Sequence, residues 1–498
     1  MLSRMYAGVD VGTSGCKMLV YDSEGDIVYR AARSYEEIGE RGHRELNPET
    51  VRENLMDMFC EVGRKCGGKI SALSVASLGE SIVCLGKEEQ ILANSMVTGD
   101  IRGKDQVKEL IEKIGEEKIF RITGLPPNEL YGLPKYMWLN QDSDVIRDAK
   151  YILFYEDYVN YILTGKRMIS FTSAARSLAF DFQRKKWSEE LLDFAGITVN
   201  QLSQPVPPLT VIGNILPEIA AKTGLDPHMK VIAGGHDQTC AALGAGLRNL
   251  QDSECSMGTC EFMFFRMPEP SINTYMMEND FTCIPYILEN SYLTSLEVTT
   301  CGVLKKWARN TIFTGIDLKC KEEGKDFYDY MDNLAKDNVT NIMILPQFGS
   351  SGNPDLNMNT VGTITGLTIH TKPGELYRAI LESFSLQMRY SYERLKNLGV
   401  NADRIIVTGG GARSDLTLQI RADVFNMDVI SLERDEAGTL GCAIMASVAN
   451  KEFETIEDAI EKMVKYQKVY KPDKKMVDYY NDKFVKFKIL YEKMHEEN

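Results

Sequence analysis

The sequence is poor in the residues that build structural metal sites, and it lacks a motif that would group them. It has five histidines and eleven cysteines among 498 residues, and no two cysteines have C-x-x-C spacing. An odd number of scattered cysteines is typical of reduced thiols and argues against a structural zinc. The N-terminal residues show no signal-peptide pattern, and no uncharged run is long enough to span a bilayer. We therefore expect a cytoplasmic protein without a membrane partner.

Positive charge is also scarce. The chain has 57 Lys and Arg residues against 71 Asp and Glu residues, for a formal net charge of −14. This balance argues against nucleic acid as the main partner. Because 498 residues exceed what one hydrophobic core usually organises, we expect two large domains. A change from small to polar residues within 244–253 predicts domains at 1–247 and 248–498, with a helical tail from about residue 465.

The order of predicted elements indicates an α/β protein. Strands are predicted at 6–9, 16–21 and 27–32, followed by a helix that begins after Asn47 and a strand at 70–75. The second half repeats this style loosely. A long helix opens at Pro373, a strand follows at 404–408, and helices begin near Ser414 and Glu436. These elements predict mixed sheets flanked by helices.

The first predicted strand runs into residues 10–15, which read DVGTSG, and Lys17 follows two residues later. Two glycines in a tight turn let backbone N–H groups approach an anion, and the Thr and Ser hydroxyls are further donors. Asp10 at the strand end is suited to a hydrated Mg²⁺ ion. A plain hairpin turn explains the same residues, because such turns are common. The stretch lacks GxxxxGK[ST] spacing and is not a P-loop.

A second candidate lies in residues 231–246, VIAGGHDQTCAALGAG. A short apolar strand enters two glycines, and Asp237 then stands at the start of a helix of small residues. Ligands bind at such strand ends in α/β sheets. Asp237 could instead only cap the helix, but the two glycines before it clear space beside a carboxylate. His236 is interpreted as a packing residue or as a residue that supports a site residue without binding the ligand, and Gln238 either contacts substrate or simply starts the helix.

Two more glycine turns follow. Gly258 and Thr259 form a hairpin-like turn at the opening of the second domain, which resembles the turn after Asp10. Residues 405–430 then run from a strand through three glycines into a helix. Such a strand–glycine–helix turn lets a base or ribose lie against the backbone. It lacks GxGxxG spacing, so a dinucleotide-binding fold is not supported.

In this order and spacing, the motifs resemble those of the FGGY carbohydrate kinase family over about residues 6–470. The resemblance implies two ribonuclease H-like domains of the actin-like ATPase type, each with a mixed sheet flanked by helices. The active site would lie in the interdomain cleft, and the cofactors would be ATP and Mg²⁺. The reaction would be transfer of the γ-phosphoryl group of ATP to a hydroxyl of a sugar or polyol.

The resemblance also implies residue roles. Asp237 would be the catalytic base, and Asp10 and Asp237 would lie at the metal. Nucleotide contacts would come from both phosphate turns and the adenosine turn, at Gly12, Thr13, Ser14, Lys17, Gly258, Thr259, Gly410, Gly411 and Ala412. Substrate contacts would come from Glu80, Asp100, Arg102, Asp237 and Gln238. Lys17 is the least secure of these residues, because it starts a strand and could equally point to solvent.

Two departures from the family pattern leave the sugar open. The segment around Asp100 and Arg102 reads TGDIR and lacks the family's tryptophan, and the turn at 257–260 lacks its usual serine pair. Glu80 resembles the glutamate of glycerol-type members rather than the Gln-Met-His of xylulose-type members. The oligomeric state is also open, with a homodimer as one option.

Two alternative functions are compatible with the same fold. A non-catalytic nucleotide-binding sensor or scaffold would not need Asp237 together with Asp10. An actin- or Hsp70-like ATPase would hydrolyse ATP directly and would not need a substrate loop with Glu80, Asp100 and Arg102. The presence of these residues favours an enzyme that phosphorylates a small molecule.

Overall fold

The computed structural model of the protein describes residues 4–40, 42–357 and 360–496. Its strands are β1 Met5–Val11, β2 Gly15–Tyr21, β3 Ile27–Ser34, β4 Ile38–Glu40, β5 His43–Leu46, β6 Ile70–Ser77, β7 Ile82–Leu85, β8 Ser95–Met96, β9 Tyr151–Phe154, β10 Met168–Ser170, β11 Phe180–Asp181, β12 Lys186–Trp187, β13 Gln204–Val206, β14 Val211–Asn214, β15 Lys230–His236, β16 Asp252–Met257, β17 Glu261–Met267, β18 Ile284–Pro285, β19 Tyr292–Val298, β20 Met343–Leu345, β21 Thr363–Thr365, β22 Arg404–Thr408, β23 Asp428–Leu432 and β24 Tyr466–Tyr470.

The helices connect and cover these strands. They are α1 Pro48–Cys66, α2 Lys104–Ile114, α3 Glu116–Thr123, α4 Gly132–Asp142, α5 Val145–Asp148, α6 Tyr155–Thr164, α7 Phe171–Ala175, α8 Glu189–Phe194, α9 Pro217–Thr223, α10 Asp237–Gly244, α11 Thr274–Glu278, α12 Cys301–Thr311, α13 Thr314–Glu322, α14 Phe327–Ala335, α15 Pro373–Leu395, α16 Asp415–Phe425, α17 Ala437–Ala449, α18 Ile456–Met463 and α19 Lys474–Glu496. A 3₁₀ turn at Gly410–Arg413 follows β22.

Two mixed sheets form the framework, and they share one plan. The N-terminal sheet has the order β3-β2-β1-β6-β15-β14, and the C-terminal sheet has β19-β17-β16-β22-β23-β24, with β18 added at its edge. In both, the first strand of the unit pairs antiparallel with its hairpin partner and parallel with the strand on its other side. The predicted fold of two ribonuclease H-like units is confirmed.

Local sequence signals explain the element boundaries. The side chain of Asn47 accepts a hydrogen bond from the Glu49 amide at 2.9 Å, and Pro48 occupies the first turn of α1, where a missing N–H costs nothing. Helix α16 begins in the same way, since the Ser414 hydroxyl accepts from the Thr417 amide at 3.1 Å. The predicted strand at 404–408 matches β22 at both ends.

The C-terminal tail differs from the expectation of a helix starting near residue 465. Residues 466–470 form β24, which pairs antiparallel with β23 and completes the sheet, and α19 starts only at Lys474. The strand has an exposed face, with Tyr466 and Val469 both over 40% exposed. Most of its residues are exposed, so it lacks the apolar run by which buried strands are usually recognised in a sequence.

Helix α17 packs across the boundary between the predicted domains. It lies in the C-terminal half of the chain, yet it covers one face of the N-terminal sheet and packs lengthwise against α10. A side chain at Gly244 would collide with the backbone of Ala437, and one at Gly441 would collide with the backbone of Cys240. These glycines allow the two helices to approach closely and join the two units in one continuous core.

Candidate active site

The hairpin between β1 and β2 carries the first predicted phosphate turn. It is closed by a hydrogen bond from the Gly12 amide to the Gly15 carbonyl at 2.9 Å, and the Tyr35 hydroxyl donates to the Gly12 carbonyl at 2.7 Å. Gly12, Thr13 and Ser14 line the cleft cavity described below. The turn is therefore anchored from outside, and its residues face the cleft.

Asp10 and Lys17 pair across this hairpin. Their strand positions are in direct register, and the Lys17 Nζ lies 3.3 Å from Asp10 Oδ2 and 3.0 Å from Glu436 Oε2. Burial raises the pKa of Asp10, and Lys17 opposes that shift. Burial disfavours the Lys17 cation, but the two carboxylates outweigh it and raise the pKa of the lysine. Lys17 is thus held on carboxylates behind the turn.

The second phosphate turn joins β16 and β17. The Gly258 amide donates to the Cys260 carbonyl at 2.9 Å, and the amide of Gly302, in the first turn of α12, donates to the Thr259 carbonyl at 2.9 Å. The predicted hairpin is present, and its closing hydrogen bond spans one residue fewer than that of the first turn.

The glycine triplet lies directly against this second hairpin. Gly409 has φ = 82°, a left-handed conformation that favours glycine, and side chains at Gly409 or Gly411 would crowd Met257. At Gly410 a side chain would meet open space. Ala412 lines a separate polar cavity of about 300 Å³ between the ends of β22 and β23. The turn thus presents open backbone beside a cavity.

Asp237 stands where β15 ends and α10 begins. The Gln238 amide donates to Asp237 Oδ1 at 2.6 Å, and the His236 Nε2 lies 3.1 Å from the same oxygen. Thr172 positions the loop, because its hydroxyl accepts a hydrogen bond from the His236 amide at 3.2 Å. His236 therefore contacts the Asp237 carboxylate, which agrees with a supporting position beside that residue.

The pKa values of Asp237 and His236 both differ from the ordinary values of these side chains. Burial in the cleft, reinforced by the charges of Asp10 and Glu80, raises the pKa of Asp237 to about 7. Burial and the nearby Arg176 cation lower the pKa of His236 to about 3. Histidine is therefore neutral beside a carboxyl group that titrates near physiological pH, as a general base requires.

One cavity of about 410 Å³ lies between the two units and collects most of the predicted substrate residues. Its N-terminal wall includes the first phosphate turn with Glu80, Thr98, Tyr131, Asp237 and Gln238. The Gln238 Oε1 and His236 Nδ1 atoms are buried and have no partner among the described residues. Unsatisfied polar atoms at a cavity wall are suited to a polar ligand.

Glu80 is held by a residue that the sequence analysis missed. Arg176 donates from Nε at 2.7 Å and from Nη2 to Glu80 Oε1, and the Thr98 hydroxyl donates to Glu80 Oε2 at 2.8 Å. Burial opposes ionisation of Glu80, but Arg176 outweighs it and lowers the pKa to about 2. Arg176 is a lone cation in the small and apolar stretch SFTSAARSLAF, a signal that could have marked it.

Asp100 and Arg102 lie outside the residues that line this cavity. They form a buried ion pair with each other, and Arg102 also donates to Glu45 at 2.7 Å and lies 4.6 Å from the centre of the Trp138 ring. Asp100 accepts a backbone hydrogen bond from Arg44 at 3.0 Å. The polar partners of the pair are therefore within the protein, and its predicted contact with substrate stays a prediction.

The C-terminal wall of the cavity was absent from the predicted site. It contributes Asp280 and Glu297 together with Phe262, Phe264 and Asn353. Burial, with Asp280 as a further cause, raises the pKa of Glu297 to about 7, and burial raises that of Asp280 to about 6. Glu297 interrupts an otherwise uncharged strand, YLTSLEV, which is the signal available in the sequence.

Comparison with family models identifies the protein family. A model of the FGGY family of carbohydrate kinases, N-terminal domain, matches residues 5–244, and its C-terminal domain counterpart matches residues 254–450. The chain belongs to the FGGY family of carbohydrate kinases. It is therefore an ATP-dependent phosphotransferase with an alcohol group as acceptor.

Curated relatives span the whole chain. A xylulose kinase of Bacillus subtilis (strain 168) is 26% identical over 493 residues, which cover 97% of this chain and 96% of the relative. A gluconokinase of Bacillus licheniformis is 23% identical and covers 92% of this chain and 90% of its own length. The family is thus shown along the full length, and the two relatives differ in the sugar that their names give.

Solved structures agree on the fold. A ligand-bound xylulose kinase from Lactobacillus acidophilus superposes with a TM-score of 0.90 at 25% identity, covering 99% of this chain and 98% of that chain. A glycerol kinase from Plasmodium falciparum with ADP superposes with a TM-score of 0.86 at 19% identity, covering 99% and 98%. Among the described helices, none is long and apolar enough to cross a membrane.

Proposed function

We propose that this FGGY kinase phosphorylates a hydroxyl of a small sugar or polyol bound against the N-terminal wall of the cleft, with Asp237 as the general base. The observation that carries the proposal is the position of Asp237. It shares one cavity with the first phosphate turn and with Glu80, and its pKa is raised to about 7. A carboxylate placed there can orient an acceptor hydroxyl and take its proton late in phosphoryl transfer.

The nucleotide would lie between the two glycine hairpins. Backbone N–H groups of Gly12, Thr13 and Ser14 would bind phosphate oxygens from one side, and Gly258 and Thr259 from the other. The adenosine would lie along Gly410, Gly411 and Ala412, because Gly410 faces open space and Ala412 lines the polar cavity beside β22.

The residues around Asp10 are suited to Mg²⁺. Carboxylate oxygens are the ligands that Mg²⁺ prefers, and Asp10 lies near enough to Asp237 for its charge to raise that pKa. When bound, Mg²⁺ would supply charge neutralisation for the phosphate oxygens. Asp10 would hold it, largely through water, and Asp237 would lie close by. Lys17, paired with Asp10 and Glu436, would set the charge of this region rather than bind phosphate.

Two further assignments belong to this proposal. All eleven cysteines are free thiols, which supports the cytoplasm as the location. A homodimer and the absence of a nucleic-acid partner remain expectations from the net charge and the family resemblance, and sedimentation analysis would measure the first directly.

The decisive experiment is an ADP-release screen over ketoses, aldoses, polyols and sugar acids. We expect acceptor-dependent ADP release with the wild-type protein and its loss in Asp237→Ala, while ATP binding persists in both. Asp142→Ala is the matched control, because Asp142 is an exposed carboxylate at the end of α4. Near-normal turnover by Asp237→Ala would disprove its role as base. ATP binding without turnover of any acceptor would favour a non-catalytic sensor or scaffold.

A further inference from the structure

The charges that line the cleft cavity are strongly unequal. Its wall carries four carboxyl groups and, among the described residues that line it, one permanently cationic side chain, Arg176; the four acids are Glu80, Asp237, Asp280 and Glu297. An acceptor that enters this cavity therefore meets a wall rich in carboxyl groups.

The single cation of the cavity wall, Arg176, already forms an ion pair with Glu80. Two nitrogens of the Arg176 guanidinium donate to one oxygen of Glu80, Oε1, and its planar group lies 4.9 Å from the centre of the Tyr131 ring. A bidentate guanidinium is the group that proteins most often use to recognise a carboxylate ligand. Here the protein's own glutamate occupies that role, so an acidic acceptor would have to compete with a buried internal ion pair.

The carboxylates on the opposite wall are held by a buried framework. Asn353, which is 2% exposed, accepts a hydrogen bond from the Glu297 amide at 2.7 Å and donates to the Asp280 carbonyl at 2.6 Å. The Ser391 hydroxyl of α15 donates to the Asn353 carbonyl at 2.6 Å. Asp280 is fixed further by the Leu356 amide, which donates to its Oδ2 at 2.8 Å. Asn353 thus sets the positions of both acidic residues relative to the N-terminal wall.

Neither of these two carboxyl groups forms an ion pair with a described residue, whereas Glu80 in the same cavity does. A carboxyl group in this position can bind sugar hydroxyls as an acceptor when ionised, and it repels another carboxylate. Like charges in a partly desolvated cleft are costly, because water screens them poorly there.

We infer that the acceptor is an uncharged polyhydroxy compound, that Asp280 and Glu297 are specificity-determining residues, and that they exclude sugar acids from the cleft. The inference rests on the proposed function, since it concerns the acceptor of the same reaction. It separates two kinds of substrate that the names of the relatives leave open, a neutral ketose and an aldonate.

The test compares acceptors of different charge with the full-length enzyme at pH 8, where Asp280 and Glu297 are ionised, because their pKa values are about 6 and about 7. D-xylulose and a panel of neutral aldoses and polyols represent the uncharged class, D-gluconate the acidic class, and D-glucosamine the cationic class. We expect the highest kcat/KM with a neutral acceptor. In Glu297→Gln and Asp280→Asn, we expect kcat/KM for D-gluconate relative to that neutral acceptor to rise by about tenfold, because one repulsive charge is removed.

Glu289→Gln is the matched control, because Glu289 is exposed and lies outside the cleft lining. It removes the same charge and should leave the ratio unchanged. Thermal unfolding and ATP binding check that each variant is folded, and if one of the two cleft variants fails to fold, the other decides the result.

Preference of the wild-type enzyme for D-gluconate or D-glucosamine, or an unchanged ratio in the folded variants, would overturn the inference while leaving the kinase function intact. Turnover of no acceptor in any class, with ATP still bound, would instead reject the proposed function and the inference with it. The two failures are therefore distinguishable in one set of assays.

Discussion

The two walls of the cleft each carry a buried glutamate, but the pKa values of these glutamates are shifted in opposite directions. Glu80 on the N-terminal wall and Glu297 on the C-terminal wall line the same cavity, and burial acts on both to disfavour the charged form. Arg176 contacts Glu80 and lowers its pKa to about 2, whereas Glu297 lacks such a contact and its pKa rises to about 7. The contact with a cation, rather than burial, decides the charge state.

The two glycine hairpins also differ in whether a carboxylate lies beside them. Both are closed by a backbone hydrogen bond of 2.9 Å that starts at the glycine amide. Asp10 lies two residues before Gly12, but Ser256 lies two residues before Gly258. A hairpin closed by a glycine amide is thus present in both units, while a carboxylate two residues before that glycine is present in only one of them.

Replacing Asp10 by alanine should have the largest effect among the tests of this contrast. We expect kcat/KM to fall by about a hundredfold, because the charge on the phosphates would no longer be neutralised in position. Raised Mg²⁺ should restore part of the activity. Ser256→Ala, at the matching place in the second hairpin, should have a small effect, and equal losses in the two variants would contradict the asymmetry.

Replacing Glu80 by glutamine should act mainly on the acceptor. We expect KM for the sugar to rise about tenfold with little change in ATP affinity, because the variant breaks a buried ion pair beside the acceptor pocket. Steady-state kinetics with each substrate varied would separate the two constants. An unchanged sugar profile would place the acceptor elsewhere in the cleft.

The pH profile should follow Asp237. A base with a pKa of about 7 must be deprotonated to accept a proton, so kcat/KM should fall about tenfold for each pH unit below 7. In Glu80→Gln the inflection should move to lower pH, because the variant removes a negative charge and frees the positive charge of Arg176. An inflection that stays near pH 4 in the wild-type enzyme would contradict the assignment.

Replacing Lys17 by glutamine should have the smallest effect. Lys17 forms ion pairs with Asp10 and Glu436 and does not line the cleft cavity. We therefore expect the KM for ATP to change by no more than about threefold. The apparent affinity for Mg²⁺ should increase, because the lysine no longer competes for Asp10. A large loss of ATP affinity, measured by titration, would instead indicate that Lys17 binds the phosphates of ATP.

Much of the local structure could be predicted from short-range signals. The cap at Asn47, the short strands β1 and β2, and the glycine turns at 12 and 258 depend on neighbouring residues, and the structure has each of them in place. The tail strand β24 was missed because an edge strand with polar, exposed residues has no distinctive apolar pattern.

The site was predictable only where a residue stands inside a motif. Asp237 follows a glycine pair and was found, whereas Arg176 and Glu297 stand alone in stretches with other local explanations. Both line the cleft cavity because segments remote in the chain are folded against one another, and no spacing rule in the sequence indicates that proximity. The position of α17 on the N-terminal sheet was hidden for the same reason.

The sequence by itself determined the type of protein. Glycine turns, a strand-end aspartate and their order along the chain specify two nucleotide-binding units, because backbone conformation and N–H access depend on local residue types. The tertiary structure alone decided which charges are paired. Arg176 reaches Glu80 but not Glu297, and Lys17 reaches Asp10 and Glu436, since electrostatic energy depends on distances between residues remote in the chain.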